Sequence, residues 1–423
     1  MEDKKEKNLR NSIRIFEILA VFLVILKTQS IFTFLKETDL HINIILVMSL
    51  TILTFLKLIS HKIRIKGQNK KIICIVGYII YVLIYAILTK CTDRPFFINY
   101  IIILPIMFIN ISFTEDFIKE IKNVAKIYVS EIVIITIISL FFFLLGSTLN
   151  IIKPTNQVLI EWGEIKSLDT YCYLHFNTQN INILNIVLNR NSAIFTEAPM
   201  FALHLIIALA MAVFLLEPRK SNIIILVIGL CSTFTLTAFI SIFVIYLLYL
   251  AFNYKKIFKS KKIVIINIIA LVITIVGAII LFNARSNSSS LNIRLDDYNA
   301  AIKAFKDNVF LGKGYNNEEA IKEYMSDFRK YNDGLSNSIA VLMAEGGIYF
   351  SVIYFAPIII IFYESIKRKQ NNVLCLNIIL ITTMLFLIYI STPLMLMILA
   401  IMYSYIYNSN FCKFDMKERE DGN

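Results

Sequence analysis

Long apolar stretches recur along the whole of this chain and leave little polar sequence from which to build a water-soluble surface. A helix needs about 20 apolar residues to cross the roughly 30 Å hydrocarbon core of a bilayer, and most of these stretches approach that length. Because 57% of the residues are hydrophobic and 17% are charged, we predict an all-α polytopic membrane protein, with residues 1–423 forming a single transmembrane domain of about 12 helices. The candidate spans cover approximately residues 15–35, 41–59, 72–89, 95–112, 124–146, 194–216, 221–234, 235–252, 263–282, 336–363, 373–390 and 392–408.

The basic residues between the spans predict the orientation. With a cytoplasmic amino terminus, the inside segments hold 27 of the 42 Lys and Arg residues and the outside segments hold 14, while Lys27 lies within the first span. Of those 14 residues, 11 belong to two long loops, 147–193 and 283–335, where the positive-inside rule has least force. Both long loops are therefore expected outside and both termini inside. The net charge of +12 then reflects orientation in a lipid bilayer, and no nucleic-acid partner is predicted.

The apolar run over residues 221–252 has basic residues on both sides, so we expect it to cross the membrane twice. Each arm has about 16 residues and reaches roughly 24 Å, which is shorter than the hydrocarbon core. The tip of this hairpin, with Ser232, Thr233, Thr235 and Thr237, is thus expected below the outer surface. These hydroxyls either line a recess that opens outward or bond back to helix carbonyls.

The segment before the sixth span reads NRNSAIFTEAPM, from Asn189 to Met200. Pro199 suits the first turn of a helix, with Thr196 as its cap. Arg190 and Glu197 then lie at the outer mouth, beside the positive end of that helix. They form either an ordinary interfacial ion pair or part of an anion site.

The large loop 283–335 is predicted to be a small helical domain with Arg285 and Arg294 near its entry. One apolar stripe recurs at steps of three and four and ends before Gly312 and Gly314. A second helical pattern follows and is stopped by Asn332, Asp333 and Gly334. The first stripe comprises Leu295, Tyr298, Ile302, Phe305 and Val309, and the second comprises Ile321, Tyr324, Phe328 and Tyr331.

The six cysteines show no metal-ligand spacing, and neither a metal nor another cofactor is predicted. Cys91 and Cys172 are expected on the same side of the membrane, which makes a disulfide between them geometrically conceivable. His175 lies in the first long loop, where a lone histidine is more often incidental than functional.

Four segments resemble the O-antigen polymerase and O-antigen ligase superfamily. The first two are NRNSAIFTEAPMFA, which is similar to a signature that precedes a span, and TFTLTAFIS, which is similar to a hydroxyl-rich turn two spans later. Arg294, Tyr298 and then NVFLGKGYNN resemble a pattern of the family's large outer loop. The segment SNSIAVLMAEGGI is similar to the one that follows that loop. Together these segments cover roughly residues 185–350.

The resemblance implies a GT-C-like, metal-independent membrane glycosyltransferase at the outer face of the bacterial plasma membrane. Its substrate would be a polyprenyl-diphosphate-linked oligosaccharide, and its protein partners would include a flippase and a chain-length regulator. Arginine suits a leaving diphosphate, because its planar cation matches phosphate oxygens. The candidate catalytic residues are Arg190, Glu197 and Arg294, and the candidate substrate-binding residues are Arg285, Thr235, Thr237, Tyr298, Asn337 and Glu345.

Departures from the family pattern bear on which reaction is catalysed. Many relatives have an arginine where this chain has Leu236, and Ala198 separates Glu197 from the proline. Ligases carry a histidine before the asparagine that follows the large loop, whereas Ser336 stands there in this chain. The resemblance thus favours a polymerase of undecaprenyl-diphosphate-linked repeat units over a ligase.

Two alternatives stay open at this stage. Glu345 is either a functional intramembrane carboxylate or a neighbour of two glycines that pack helices together. A lipid-linked oligosaccharide flippase also has about 12 spans, but such transporters usually show internal repeats, and none is evident in this chain.

Overall fold

The computed structural model describes residues 2–35, 38–162, 164–183, 186–217, 219–257, 276, 279, 290–329 and 335–409. Most of these residues are helical. The helices are α1 (Glu2–Lys27), α2 (Thr38–Ile59), α3 (Asn69–Thr89), α4 (Arg94–Ser112), α5 (Phe117–Thr148), α6 (Ala198–Phe214), α7 (Lys220–Ser232), α8 (Leu236–Ile257), α9 (Ser290–Asp307), α10 (Glu318–Lys322), α11 (Ser338–Lys367), α12 (Asn371–Phe386) and α13 (Pro393–Ser409).

The helix lengths are consistent with an integral membrane protein. Of the described helices, α2, α3, α4, α5 and α11 are long and apolar enough to cross a bilayer, while α6, α7, α8, α12 and α13 are apolar but shorter. A described helix lies at every predicted span except 263–282, which falls almost entirely outside the described residues. The number of membrane crossings stays a prediction.

The first long loop contains β-structure, so the all-α prediction is wrong there. Strands β1 (Asn156–Trp162), β2 (Glu164–Tyr171) and β3 (His175–Phe176) form an antiparallel sheet, and β4 (Asn180–Ile183) pairs with β5 (Ile186–Asn189). Val158 and Ile160 are buried, whereas Leu159 between them is 68% exposed. Buried and exposed side chains thus alternate along β1, as they do in a strand with one face buried. Val158 lies opposite Leu168 of β2.

One end of the bundle is held together by contacts between helix ends, and we refer to it as the loop end. At the end of α1, Thr28 accepts from the backbone of Leu394 in α13, and Gln29 accepts from Thr196, just before α6. The start of α11 joins the same end, because Ser338 bonds to the segment between α12 and α13 at Tyr389. The carboxyl ends of α1 and α12 and the amino ends of α6, α11 and α13 therefore converge there.

The opposite end of the bundle holds a buried ionic group. The Lys57 ammonium lies 3.1 Å from Glu17 Oε1 and 2.5 Å from Glu120 Oε1, and Asn123 donates to the other oxygen of Glu17. Lys57 is 1% exposed. This group joins α1, α2 and α5, and a single ammonium is shared by two buried carboxylates, one of which also accepts from the Asn123 amide.

In the large loop, α9 confirms the first predicted helix, but three of the five residues in the predicted apolar stripe are exposed. Leu295, Ile302 and Val309 are 55%, 48% and 42% exposed. The helix instead packs its small residues against the start of α11. Those residues are Ala300, Ala301 and Ala304, opposite Ala340 and Ala344.

The second helical pattern is wrong in extent. The pattern predicts one helix that continues through Phe328 to Tyr331, whereas α10 ends at Lys322 and a 3-10 turn covers Asp327–Arg329. Tyr331 lies outside the described residues. The chain turns here because Asp296 accepts from both the backbone and the hydroxyl of Ser326 and draws it onto α9.

The disulfide considered between Cys91 and Cys172 is not formed. Cys91 and Cys172 are both free thiols.

Candidate active site at the loop end

Arg190 links the first long loop to the turn between α7 and α8. It follows β5 directly, and its side chain is 7% exposed. Its Nε donates to the Thr233 carbonyl over 3.1 Å, and its Nη1 donates to Gln179 Oε1 over 2.9 Å. The fork of the guanidinium is therefore fixed from two directions, which a single-point cation could not reproduce.

Glu197 occupies the position just before α6. Its backbone is extended, with φ −141° and ψ 153°, and its carbonyl accepts from Met200 and Phe201. The side chain is half-buried and makes no capping hydrogen bond. Its carboxylate therefore lies at the positive end of the helix dipole but does not accept from the first backbone N–H groups of the helix. The prediction that Thr196 caps the helix is wrong, because its hydroxyl donates to Gln29 instead.

The hydroxyl-rich turn separates α7 from α8 at the predicted place. The Ser232 and Thr233 hydroxyls donate to the carbonyls of Gly229 and Leu230, both over 2.7 Å. Thr235 accepts from the backbone of Ala238 over 3.0 Å and so caps α8. Local bonding to helix backbone thus accounts for these three hydroxyls, while Thr237 is buried at 4% exposure beside them.

His175 of the first long loop is fully buried, and a functional role for it stays untested. Its Nδ1 lies 3.1 Å from the Ser139 hydroxyl and its Nε2 lies 3.2 Å from the Ser147 hydroxyl. Ser139 donates to the side chain of Asn191, the residue after Arg190. Burial lowers the pKa of His175 to about 4, so the ring is neutral at neutral pH. Only the fold reveals this, since the serines and the histidine are far apart in sequence.

The same network reaches the turn through Asn191. Its backbone donates to the Ser232 carbonyl over 3.1 Å, and its side-chain amide donates to the Ser232 hydroxyl over 3.0 Å. The chain of contacts from His175 through Ser139 and Asn191 to Ser232 therefore holds the Arg190 segment against the turn.

Arg294, Tyr298 and Asn337 converge on the carboxyl end of α12. Arg294 Nη1 donates to the Phe386 carbonyl over 3.2 Å, and the Tyr298 hydroxyl donates to the Leu385 carbonyl over 2.8 Å. Asn337 donates to the same Leu385 carbonyl and caps α11 by accepting from Ala340. A cation and donors at a helix carboxyl end are favourable there. The other donors of the Arg294 guanidinium have no partner in the part of the chain that the structure describes.

A buried ion pair that sequence reasoning missed braces α9 beneath this group. Arg329 is 2% exposed and lies 2.6 Å from Asp297 and 3.6 Å from Asp296. Ser336 donates to the other oxygen of Asp297. These contacts fix α9 to the start of α11, one helical turn from Arg294.

The Gly-rich part of the large loop inserts into a break in α11. Gly347 has φ 56° and interrupts the helix, and a Cβ there would collide with the backbone of Phe310 and Gly312. Gly312, with φ 70°, could not carry a Cβ either, because it would meet the Glu345 carbonyl. Lys313 donates to Ala344 over 2.8 Å. The glycines of the Leu-Gly-Lys-Gly segment and of the break in α11 thus allow the two backbones to come into direct contact.

Glu345 takes part in the same contact. Its Oε2 accepts from the backbone of Asn316 over 3.1 Å, and its carbonyl accepts from Gly314 and from the Tyr85 hydroxyl. The glycines therefore admit a loop segment and not another helix, and the Glu345 carboxylate accepts a hydrogen bond from that loop; a functional role for the carboxylate stays a prediction.

The candidate residues thus form three groups. Arg190 and Thr235 lie at the α7–α8 turn, Arg294, Tyr298 and Asn337 lie at the end of α12, and Glu345 lies under the Gly-rich loop. The contacts of Thr28, Gln29 and Ser338 place the first two groups at the same end of the bundle. Arg285 lies outside the described residues. Within the described ranges, no cluster of His, Cys, Asp or Glu side chains could hold a metal ion.

Comparison with protein families finds a match for part of the chain. Residues 221–355 match the family model described as O-antigen ligase. The match runs from α7 to the middle of α11, and it includes the hydroxyl-rich turn, Arg294 and the Gly-rich loop, while Arg190 and Glu197 precede it. No curated protein matches the chain.

Proposed function

We propose that this chain, whose residues 221–355 match the family model described as O-antigen ligase, polymerises oligosaccharide repeat units carried on undecaprenyl diphosphate. The product would be a capsular, O-antigen-type or exopolysaccharide assembled at the outer face of the bacterial plasma membrane. The observation that carries the proposal is the presence of two arginines, Arg190 and Arg294, each oriented by hydrogen bonds to backbone carbonyls, at the loop end of an apolar helix bundle.

In this reaction a hydroxyl oxygen of one repeat unit attacks the anomeric carbon of another. The bond from that carbon to the diphosphate breaks, its electron pair stays on the phosphate oxygen, and the hydroxyl proton passes to a base. Negative charge therefore grows on the leaving diphosphate. Arg294 suits this charge, because one of its donors is fixed on Phe386 and its remaining donors have no partner among the described residues.

Arg190 would act from the other side of the loop end. Its guanidinium is oriented by Thr233 and Gln179 before substrate arrives, and a preorganised cation loses little to reorganisation during the reaction. Glu197, at the positive end of α6, would position Arg190 or the acceptor hydroxyl. Tyr298, Asn337, Thr235, Thr237 and Glu345 would shape the substrate site around these groups.

The position of Ser336 supports polymerisation over transfer of finished glycan to an acceptor. Where ligases of the family would present a histidine, this chain has a serine that donates to Asp297. His175 and His204 are both fully buried, so neither of them is offered to an acceptor hydroxyl. Ligation remains the second candidate, because the matched family model bears that description.

Deletion of the gene tests the type of reaction. Loss of a polymerase leaves single repeat units on undecaprenyl diphosphate at the outer face. Loss of a ligase leaves finished polymer that is not attached to its acceptor, and loss of a flippase leaves repeat units at the cytoplasmic face. Either of the last two outcomes would contradict the proposal.

Purified protein and a synthetic lipid-diphosphate repeat unit test the role of Arg294. Arg294→Gln keeps a donor for the Phe386 carbonyl but removes the charge, and Arg294→Lys keeps the charge but removes the fork. Both variants should lose about a hundredfold in rate, the effect of removing one preorganised contact to the leaving charge. Lys303→Ala, which removes an exposed charge from the same helix, is the control and should keep wild-type activity.

A further inference from the structure

The exposed side of α9 and of the turn after it carries two rows of side chains, each with a spacing of seven residues. Residues seven apart lie on the same face of a helix after almost two turns. Both rows point away from the small residues that pack against α11, and every member is exposed. The apolar row comprises Leu295, Ile302 and Val309, and the polar row beside it comprises Asn292, Asn299 and Lys306.

The apolar row adjoins an exposed apolar stripe of α11. The Ile348 backbone donates to the Val309 carbonyl over 2.9 Å, and the Tyr349 backbone donates to the Phe310 carbonyl over 3.0 Å. The stripe repeats with the helical period along a helix that is long and apolar enough to cross a bilayer, so it is a face that contacts acyl chains. Its members are Ile348, Val352, Ile359, Tyr363 and Ile366.

The length of α11 places Val309 at one edge of the hydrocarbon core. Ile348 precedes Lys367, the last residue of this helix, by 19 residues, which corresponds to a rise of about 28 Å. The hydrocarbon core is roughly 30 Å thick. Since Lys367 and Arg368 are cations that belong at a membrane surface, Ile348 and the adjoining Val309 lie at the opposite edge of the core.

The other end of α9 lies at a similar height. Arg294 bonds to the carbonyl of Phe386, which follows the first residue of α12, Asn371, by 15 residues or about 22 Å. The helices α11 and α12 lie side by side, because Asn377 donates to the Ile358 carbonyl. The 18 residues of α9 span about 27 Å, yet the heights of its two ends differ by only about 6 Å. The helix therefore runs along the membrane surface and not across the bilayer.

We propose that α9 is an interfacial helix whose apolar row inserts into the acyl chains of the leaflet at the loop end. An amphipathic helix in this position buries its apolar face about 5–10 Å into the boundary between headgroups and acyl chains. Membrane lipid is the occupant, because the row continues a face that already contacts acyl chains. Lys306 of the polar row then lies at the level of the lipid phosphates.

This placement does not depend on the proposed glycan chemistry. One consequence does rest on that chemistry, since Arg294 would lie at the height of a diphosphate whose lipid is anchored in the same leaflet. Such a substrate could reach Arg294 by lateral diffusion, without leaving the bilayer.

Spin labels on single cysteines, in a full-length variant without native cysteines, test the placement in bilayers of phosphatidylethanolamine and phosphatidylglycerol. Oxygen concentrates in hydrocarbon, whereas a charge-neutral nickel chelate stays in water, so the ratio of their collision rates with the label reports its depth. The ratio at Ile302→Cys should approach that at Ile359→Cys in the stripe of α11 and exceed several-fold that at Ser167→Cys, an exposed position on β2. Asn299→Cys, from the polar row, is the matched control and should give an intermediate ratio.

Equal ratios at Ile302→Cys and Ser167→Cys would place the apolar row in water and overturn the proposal. Low collision rates with both reagents at Ile302→Cys would show that protein covers the row, which overturns the choice of lipid. Leu295→Cys repeats the measurement on the same row if Ile302→Cys does not fold. No glycan assay enters the experiment, so a failure of the proposed polymerase activity would leave its result unchanged.

Discussion

Arg190 and Thr233 are joined by a hydrogen bond of 3.1 Å from the guanidinium Nε to the carbonyl oxygen of the α7–α8 turn. This bond connects a residue that precedes the matched family segment to one inside it. It also orients the guanidinium, because Gln179 holds Nη1 at the same time. The position of Arg190 therefore depends on the turn, and the turn depends in part on Arg190.

Replacement of Arg190 should show that a fork is needed and not only a charge. Lysine presents a single compact ammonium, so Arg190→Lys cannot bond to Thr233 and Gln179 in the same directions. We expect Arg190→Lys to lose about a hundredfold in polymerisation rate, nearly as much as Arg190→Ala. Lys153→Ala, which removes an exposed charge from the same loop, should leave the rate unchanged. Equal rates for Arg190→Lys and the wild type would refute this role.

His175 should make the stability of the protein depend on pH. Because burial lowers its pKa to about 4 from an ordinary value of 6.5, the unfolded chain binds a proton between these values that the folded protein does not bind. Its contribution to stability is therefore complete above pH 6.5 and is lost as the pH falls toward 4. Between pH 6.5 and pH 5 the loss should be about 2 kcal/mol.

The measurement is thermal or denaturant unfolding of the purified protein at pH 7 and pH 5. His175→Gln can donate and accept a hydrogen bond without titrating, so its loss between the two pH values should be smaller than that of the wild type. An identical pH dependence in both proteins would show that His175 does not carry this effect.

The helices were largely predictable from sequence, whereas the contacts between the loops were not. The length of the apolar stretch alone predicts α2 and α11, because hydrophobic residues predominate over 20 or more consecutive positions. The strands of the first loop are short, and the alternation around Leu159 extends over only a few residues. Arg294 and Tyr298 lie four residues apart on α9 and both bond to the end of α12, but nothing in their spacing indicates that target.

The buried face of α9 could not be predicted from its hydrophobic periodicity. Leu295, Ile302 and Val309 have the period of a buried face, yet the helix buries Ala301 and Asp297 instead. The small side chains permit close approach to α11, and Asp297 is buried because Arg329 neutralises it. Hydrophobic periodicity indicates only faces with large apolar side chains. It therefore does not predict a helix face that is buried through small side chains and an ion pair.

The contact between Gly312 and the break in α11 should tolerate no side chain. Gly312→Ala adds a Cβ that would collide with the Glu345 carbonyl, in addition to straining a backbone with φ 70°. We expect it to lower the free energy of unfolding by more than about 1 kcal/mol, and to make residues 309–316 accessible to protease. Gly67→Ala is the control, since Gly67 has φ 84° but no atom within 4 Å of the added Cβ. Equal effects of the two substitutions would contradict the close-approach argument.

Thiol labelling tests the predicted orientation of the chain. Cys172 is exposed in the first long loop, and Lys66 is exposed in the basic segment between α2 and α3. In intact cells, a membrane-impermeant reagent should label a variant that retains only Cys172, and it should not label Lys66→Cys in a background without other cysteines. Labelling of Lys66→Cys in intact cells would reverse the orientation and remove the outer-face site.

Removing Lys57 should destabilise the bundle more than removing the whole ionic group. Lys57→Met leaves Glu17 and Glu120 buried without their shared cation, and breaking a buried pair in this way typically costs about 3–5 kcal/mol. Adding Glu17→Gln and Glu120→Gln to Lys57→Met removes the uncompensated charges, so the triple variant should recover most of that loss in a thermal unfolding experiment. The recovery is the informative quantity, because it separates the cost of unpaired charge from the loss of Lys57 packing. If the triple variant is no more stable than Lys57→Met, the lysine acts through packing and the charges contribute nothing.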